Sequence, residues 1–430
     1  MHKAFVRYGR EKLFFNIPTN WKVLTYARFS DDVAARDVDS LTARALNNPI
    51  ESVPLEELVN PGDNIAVLIE DHTRNSPKKD ILRILLSRLN DMSIPRNNIS
   101  VVIALGTHKG LSSKDLEKVY GEDLVRDYKF INHDCNAADL ITVGELESGT
   151  PVKINRVVHE ADFRIGIGSI FPHPLNGYGG GGKILFPGVA NYDAILEHHL
   201  KHGFRKGSQL GRLKGNPFYE KIRLLAKAGK LDFIINCILD HNDHLHGIVA
   251  GNPFYAHEKG VEECEKIISG TFTKKADITI ISSFPYTEGT QVMKPLAPAS
   301  MITCTGGVII LVAHCSSSFP EEYLKACEVF RLEHKGHLTS RLFQMFDKNI
   351  RVIKNGAPEL NMSLAQVIMA HDEFRVIFVS KDVPEREIER LGFIHAKDMT
   401  RALEIGSYLV NNPEVHIIPA GGVILPVVEQ

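Results

Sequence analysis

No stretch of the 430-residue chain approaches the run of about 18 apolar residues that a membrane-spanning helix needs. The N-terminal residues carry no apolar leader, so neither export nor membrane spanning is expected, and the expected location is the cytoplasm. Cysteine is sparse. The six residues Cys135, Cys237, Cys264, Cys304, Cys315 and Cys327 form no CxxC pair, which argues against structural zinc and against a disulfide framework. Cys237 and Cys304 stand in apolar runs and read as buried, inert thiols. An excess of one charge is missing too: the formal charge is −2, with Lys and Arg mixed among Asp and Glu. A nucleic-acid partner would require a concentrated basic face. The chain also lacks a GxGxxG fingerprint between a strand and a helix, a Walker lysine followed by Ser or Thr, and an HExxH pair.

What remains is the composition of a globular enzyme, 43% apolar and 24% charged, with no segment that need be disordered. The length predicts two or three domains, and two α/β domains fit best. Short Val- and Ile-rich runs recur between amphipathic segments, the pattern of buried parallel strands joined by helices. Residues 65–70 predict a strand that runs into Asp71-His72-Thr73-Arg74, and 77–90 predict a helix with Ile81, Leu82, Ile84, Leu85, Leu86 and Leu89 turned inward. A second strand over 99–105 leads to Gly106-Thr107-His108, then to a helix that Ser112 and Asp115 cap. A third over 164–170 leads to a loop holding His173 and ending in four glycines and Lys183. Open α/β sheets bind ligands beyond the C-terminal ends of their strands. Further sheet is expected at 231–239 and 247–250, and a new strand–helix series from Asp277 with strands at 278–282, 307–313, 374–380 and 415–418. These spans divide the chain into a first domain over 1–270, a second over 277–400, and a segment 401–430 that can return to the first. One large sheet is the alternative.

Glycines at 179–182 permit close approach of backbone N–H groups to a phosphate, and Lys183 beside them can pair with an anion or bond covalently. Histidine suits proton transfer near neutral pH and is a metal ligand. His108 and His173, at two strand ends, allow one imidazole to serve each face of a reacting carbon. His198, His199 and His202 lie on one predicted helix, where spacing alone does not choose a metal ligand. Asp71 suits ligand hydroxyls and Arg74 a carboxylate. Gln291 and Lys294, three positions apart, supply an amide donor and a cation.

Asp71-His-Thr-Arg74, the Gly-Thr-His108 loop, His173, Lys183 and His199, with Gly-Lys-Ile-Leu-Phe-Pro-Gly at 182–188 and the run 233–240, resemble the nickel-dependent lactate racemase family over nearly the whole chain. The resemblance implies two α/β domains with largely parallel sheets around an active-site cleft. It implies a nickel-pincer nucleotide derived from nicotinic acid adenine dinucleotide, with Lys183 as its thioamide tether and His199 completing nickel coordination. His108 and His173 correspond to the acid/base pair, Asp71 and Arg74 to contacts with nucleotide and substrate, and Gln291 and Lys294 to substrate contacts. The implied reaction is inversion of a 2-hydroxycarboxylate through hydride removal from the α-carbon, and the implied partners are that small substrate and the enzymes that assemble the cofactor. The pattern departs at three places. Thr290 stands where the family has tyrosine, Met362 near its pocket tryptophan, and Gly182 where it has arginine. A substrate other than lactate is therefore expected. A nicotinamide-dependent 2-hydroxyacid dehydrogenase and a non-enzymatic nucleotide-binding protein are the competing readings.

Overall fold

The computed structural model describes residues 3–27, 36–73, 76–242, 244–355 and 357–429, and the chain divides into two compact units. One is formed by residues 32–267. Its elements are β1 (Ile65–Ile69), α1 (Lys78–Asp91), β2 (Ile99–Ile103), α2 (Ser113–Tyr120), β3 (Lys129–Asn132), β4 (Phe163–Ile170), α3 (Tyr192–His202), α4 (Pro217–Ala228), β5 (Phe233–Leu239), β6 (Leu245–Gly251) and α5 (Tyr255–Ile268). The six-stranded sheet has the order β6-β5-β4-β1-β2-β3. All pairs are parallel except the β5–β6 hairpin. Every residue of β1, β4 and β5 is buried, which explains their continuous apolar sequences: helices cover both faces. Helix α1 buries Ile81, Leu82, Leu85, Leu86 and Leu89, each contributing about 1.5–3 kcal/mol of apolar burial. The expected capping box at Ser112 and Asp115 is present.

This strand order has a consequence for the site. From β1 the chain steps outward through β2 and β3, then returns to the other side of β1 to form β4. The switch point lies between β1 and β4, where an open sheet leaves a crevice at its C-terminal edge. Asp71 follows β1, His108 follows β2, and His173 follows β4.

The second unit joins residues 1–31 to 268–430. Its strands β7 (Ala276–Ser282), β8 (Thr303–Val312), β9 (Arg375–Val379), β10 (Ile394–Ala396) and β11 (Glu414–Ile418) form a second six-stranded sheet, all parallel, with the edge strand Lys22–Tyr26. Helix α6 (Pro358–Glu373) packs on the same unit. The alternative of one large sheet is thus set aside. The division also differs from the sequence-based boundaries at both ends. Strand Lys22–Tyr26, expected in the first domain, pairs with β11. Segment 401–430 does not return to the first domain: β11 pairs with β7, and Leu425–Val428 pairs with Ser269–Phe272. The cause is the buried run Val415–Ile418, whose backbone groups find parallel neighbours on both sides. No described helix is long and apolar enough to cross a membrane. Cys237 is fully buried as expected, whereas Cys304 is only half-buried at the start of β8.

Candidate active site

Asp71 is 5% exposed at the end of β1. Its Oδ2 accepts a hydrogen bond from His108 Nδ1 at 2.5 Å, and its Oδ1 accepts from the Thr73 backbone N–H at 3.0 Å and the Thr73 hydroxyl at 2.6 Å. The carboxylate therefore places the proton of neutral His108 on Nδ1 and leaves the lone pair on Nε2. Sequence reasoning gave Asp71 to a ligand hydroxyl; in the structure its partner is His108. Arg74 lies outside the described residues.

Two neighbours escaped the sequence reading. Lys78, 5% exposed, donates through Nζ to the Asp71 carbonyl at 2.5 Å. It stands in the first turn of α1. Glu70 accepts from the hydroxyls of Ser76 and Ser169, the latter at 2.8 Å, while the Tyr120 hydroxyl donates to the Glu70 carbonyl at 2.9 Å. Burial pushes the Tyr120 phenol well above its ordinary range, so it serves as a donor and not as an acid. Glu70 thereby ties the ends of β1 and β4 together.

His173 opens a tight turn between Pro172–His173 and Gly177–Tyr178. Its Nδ1 accepts two backbone hydrogen bonds, from Leu175 N–H at 3.2 Å and Asn176 N–H at 3.1 Å. Beyond it the glycines form a packed corner. Gly179 N–H donates to Phe171 O and Gly181 N–H to Asn236 Oδ1, both at 2.8 Å. Gly181 has φ +56°, and a Cβ there would stand 2.6 Å from the His257 ring. The expected phosphate nest is corrected accordingly: two of these N–H groups already serve protein acceptors, and the missing side chains make room for the core. Gly182 has the same cause. A Cβ there would lie 2.8 Å from Ala226 Cβ, so the arginine of the family pattern has no room on this backbone.

Lys183 follows directly, in the short helix Gly181–Ile184. Its charge is felt by His199 and His257. Burial, with a smaller contribution from that ammonium, pushes both imidazoles down to about 4. The geometry then separates the three histidines of α3. His198 is fully buried, with Nε2 donating to Phe218 O at 3.1 Å, and His202 Nε2 stands 3.7 Å from Glu147. His199 donates through Nδ1 to Ile195 O at 2.8 Å, which leaves Nε2 as its lone-pair nitrogen. His198 meets His199 edge to face at 5.4 Å and buttresses it. Among the described residues no three His, Cys, Asp or Glu side chains converge as a metal site. A metal on His199 would therefore draw other donors from a bound molecule.

In the second unit Gln291 and Lys294 lie on the single turn Gly289–Met293 and its cap. Lys294 Nζ donates to Gln291 Oε1 at 3.1 Å and sits 4.5 Å from the Tyr286 ring centroid. The pair is held together, as an i,i+3 spacing allows. The Thr290 carbonyl accepts from Ser363 Oγ at 3.1 Å, and Ser363 meets the Tyr323 hydroxyl at 3.0 Å. Met362, expected near the substrate pocket, is 6% exposed on α6 and counts with the core.

Residues 8–211 match the family model described as the lactate racemase N-terminal domain. Lactate racemase of Thermoanaerobacterium thermosaccharolyticum is 29% identical over 434 residues, covering 97% of both chains. Lactate racemase of Lactiplantibacillus plantarum is 33% identical over 275 residues, 63% of this chain and 64% of that one. Among solved structures, the lactate racemase apoprotein from T. thermosaccharolyticum matches with a TM-score of 0.86 at 26% identity, over 99% of this chain and 100% of its own. A Thermotoga maritima protein shares the fold with a TM-score of 0.63 at 18% identity, over 91% of this chain and 98% of its own.

Proposed function

The chain belongs to the lactate racemase family, and from that premise we propose that it inverts the α-carbon of a 2-hydroxycarboxylic acid with a nickel-pincer nucleotide. The observation that carries the reading is the corner formed by Lys183 and His199. A metal ligand must be an unprotonated imidazole with its lone pair directed by a bond at the other nitrogen. His199 meets both conditions near neutral pH, through its depressed pKa and the Ile195 carbonyl. Lys183, within electrostatic reach, is the amine suited to carry a tether. When bound, the nucleotide supplies reversible acceptance of a hydride from the α-carbon.

The protein's own residues do the rest. His108, oriented by Asp71, takes the substrate hydroxyl proton at Nε2. Lys294, steadied by Gln291 and the Tyr286 ring, is a cation suited to the substrate carboxylate. A small hydroxyacid offers little apolar area, so these ionic contacts dominate its binding. The cofactor-assembly enzymes would act before turnover, and a cytoplasmic location is part of the same proposal.

Thr290 replaces the family's tyrosine, which leaves space and a hydroxyl beyond the α-carbon. We expect a longer or more polar 2-hydroxyacid to exceed lactate in kcat/KM by about tenfold or more, since one apolar contact discriminates by about 1–3 kcal/mol. A panel of single-enantiomer hydroxyacids, read by chiral separation, checks this. Lactate as the best substrate would remove the pocket argument and leave the racemase assignment standing. Running the panel without added NAD also separates inversion from the dehydrogenase reading, which requires net NADH turnover.

A further inference from the structure

Charge is mixed over the chain as a whole, but residues 201–230 hold nine Lys and Arg and one acid. Three of these cations are paired: Lys201 with Glu197 at 2.9 Å, Lys221 with Glu147, and Arg223 with Glu258. The loop between α3 and α4 is different. It repeats a five-residue pattern, Gly203-Phe-Arg-Lys-Gly207 and Gly211-Arg-Leu-Lys-Gly215. Its Arg205, Lys206, Arg212 and Lys214 are all exposed, and none has a carboxylate partner among the described residues. The single acid of the stretch, Glu220, accepts from the Gly215 backbone N–H at 3.0 Å instead. We propose that these four cations draw the carboxylate substrate to the site by their field, without touching it. The inference rests on the 2-hydroxyacid racemase reading.

Local structure explains the glycines but not the charges. Gly207, Gly211 and Gly215 have φ +102°, +72° and +71°, a backbone that favours glycine. A Cβ on Gly207 would stand 2.5 Å from Gly215 O, so the two repeats lie against each other. Like charges are thereby gathered. Arg205 Nε donates to Lys201 O at 2.6 Å and Arg212 Nε to Lys214 O at 3.0 Å, and these carbonyls orient the guanidinium groups without neutralising them. Unpaired like charges repel and cost stability, so folding gives no reason for them. Their position does. Gly211 N–H donates to Gly177 O at 3.1 Å and Asn216 Nδ2 to Leu175 O at 2.9 Å, which ties the loop to the turn that carries His173. Helix α3, which bears His199, leads straight into the same loop. A carboxylate arriving at this edge of the sheet therefore meets a concentrated positive field, screened over about 30 Å at about 0.01 M ionic strength and about 8 Å at about 0.15 M. Such fields raise local anion concentration and association rates by about 10–10³. The work done on an anion scales with its charge, so the fold-gain of a dianion is the square of that of a monoanion.

The test combines Arg205→Gln, Lys206→Gln, Arg212→Gln and Lys214→Gln in the nickel-loaded enzyme and compares it with wild type at ionic strengths of about 0.01 and about 0.15 M. At the lower value KM for the best monocarboxylate substrate is expected to rise about threefold while kcat stays within about twofold. Inhibition constants extend the test to charge: propionate should weaken about threefold and malonate, a dianion, about tenfold. At the higher ionic strength all these differences should shrink. Lys206→Gln with Lys214→Gln breaks neither arginine bond and should raise KM in the same direction, which keeps the test intact if the combined variant folds poorly. Equal KM in wild type and variants at low salt, or equal losses for propionate and malonate, overturns the proposal. So does a fall in nickel and nucleotide content with KM of the loaded enzyme unchanged, which assigns the loop to an acidic protein partner. Absence of inversion by wild-type holoenzyme on every hydroxyacid removes the racemase reading, and this proposal with it.

Discussion

Lys183→Ala, produced together with the cofactor-assembly enzymes, is expected to show no nucleotide mass adduct and activity at the level of background. The lysine projects from a corner whose backbone is held by the Asn236 side chain and by core packing at Gly181 and Gly182, so truncating its side chain leaves that scaffold intact. Lys183→Arg sharpens the test. It retains the positive charge beside His199 and His257 but not an amine that can be acylated. Loss of the adduct in both variants identifies covalent attachment, whereas loss in the alanine variant alone identifies an electrostatic role. Intact mass and nickel content provide the measurement. Wild-type protein that is active and nickel-bearing without an adduct would refute the tether and leave noncovalent binding.

His108→Ala is expected to reduce turnover by roughly 10²–10⁴, the usual worth of a positioned acid/base group, while nickel and nucleotide content stay near wild type. Asp71→Asn should cost less. An asparagine carbonyl can still accept from His108 Nδ1–H, but it no longer stabilises the imidazolium by charge. Comparable cofactor loss in His108→Ala would assign the residue to cofactor binding. Steady-state kinetics with cofactor quantification on the same preparations distinguish the two outcomes.

The interior strands were the most legible part of the fold. Runs such as Ile65–Ile69 and Phe233–Leu239 are buried on both faces and so are apolar at every position. The Ser112 cap was equally plain, because its signal lies within four residues. Pairing partners were not legible. The half-polar segment Lys22–Tyr26 finds its place only beside Glu414–Ile418 at the far end of the chain, and nothing local announces that. The candidate site divides in the same way. Strand-end positions pointed to Asp71, His108 and His173, but not to the bond between Asp71 and His108. Helical spacing left His198, His199 and His202 equivalent until their carbonyl and carboxylate partners separated them. The glycine quartet misled because close approach to a phosphate and close approach to a buried side chain demand the same residue; only the positions of His257 and Ala226 distinguish them.

The most direct test of the account follows the α-hydrogen. A single enantiomer of the best 2-hydroxyacid, deuterated at the α-carbon, is incubated in ordinary water with protein that contains nickel and nucleotide, and the inverted product is isolated by chiral separation. The account predicts inversion without added NAD and retention of deuterium at the α-carbon, because the hydrogen leaves and returns as a hydride while His108 exchanges only the hydroxyl proton. Inverted product carrying solvent protium at that carbon would contradict it, since the carbon would then have been deprotonated.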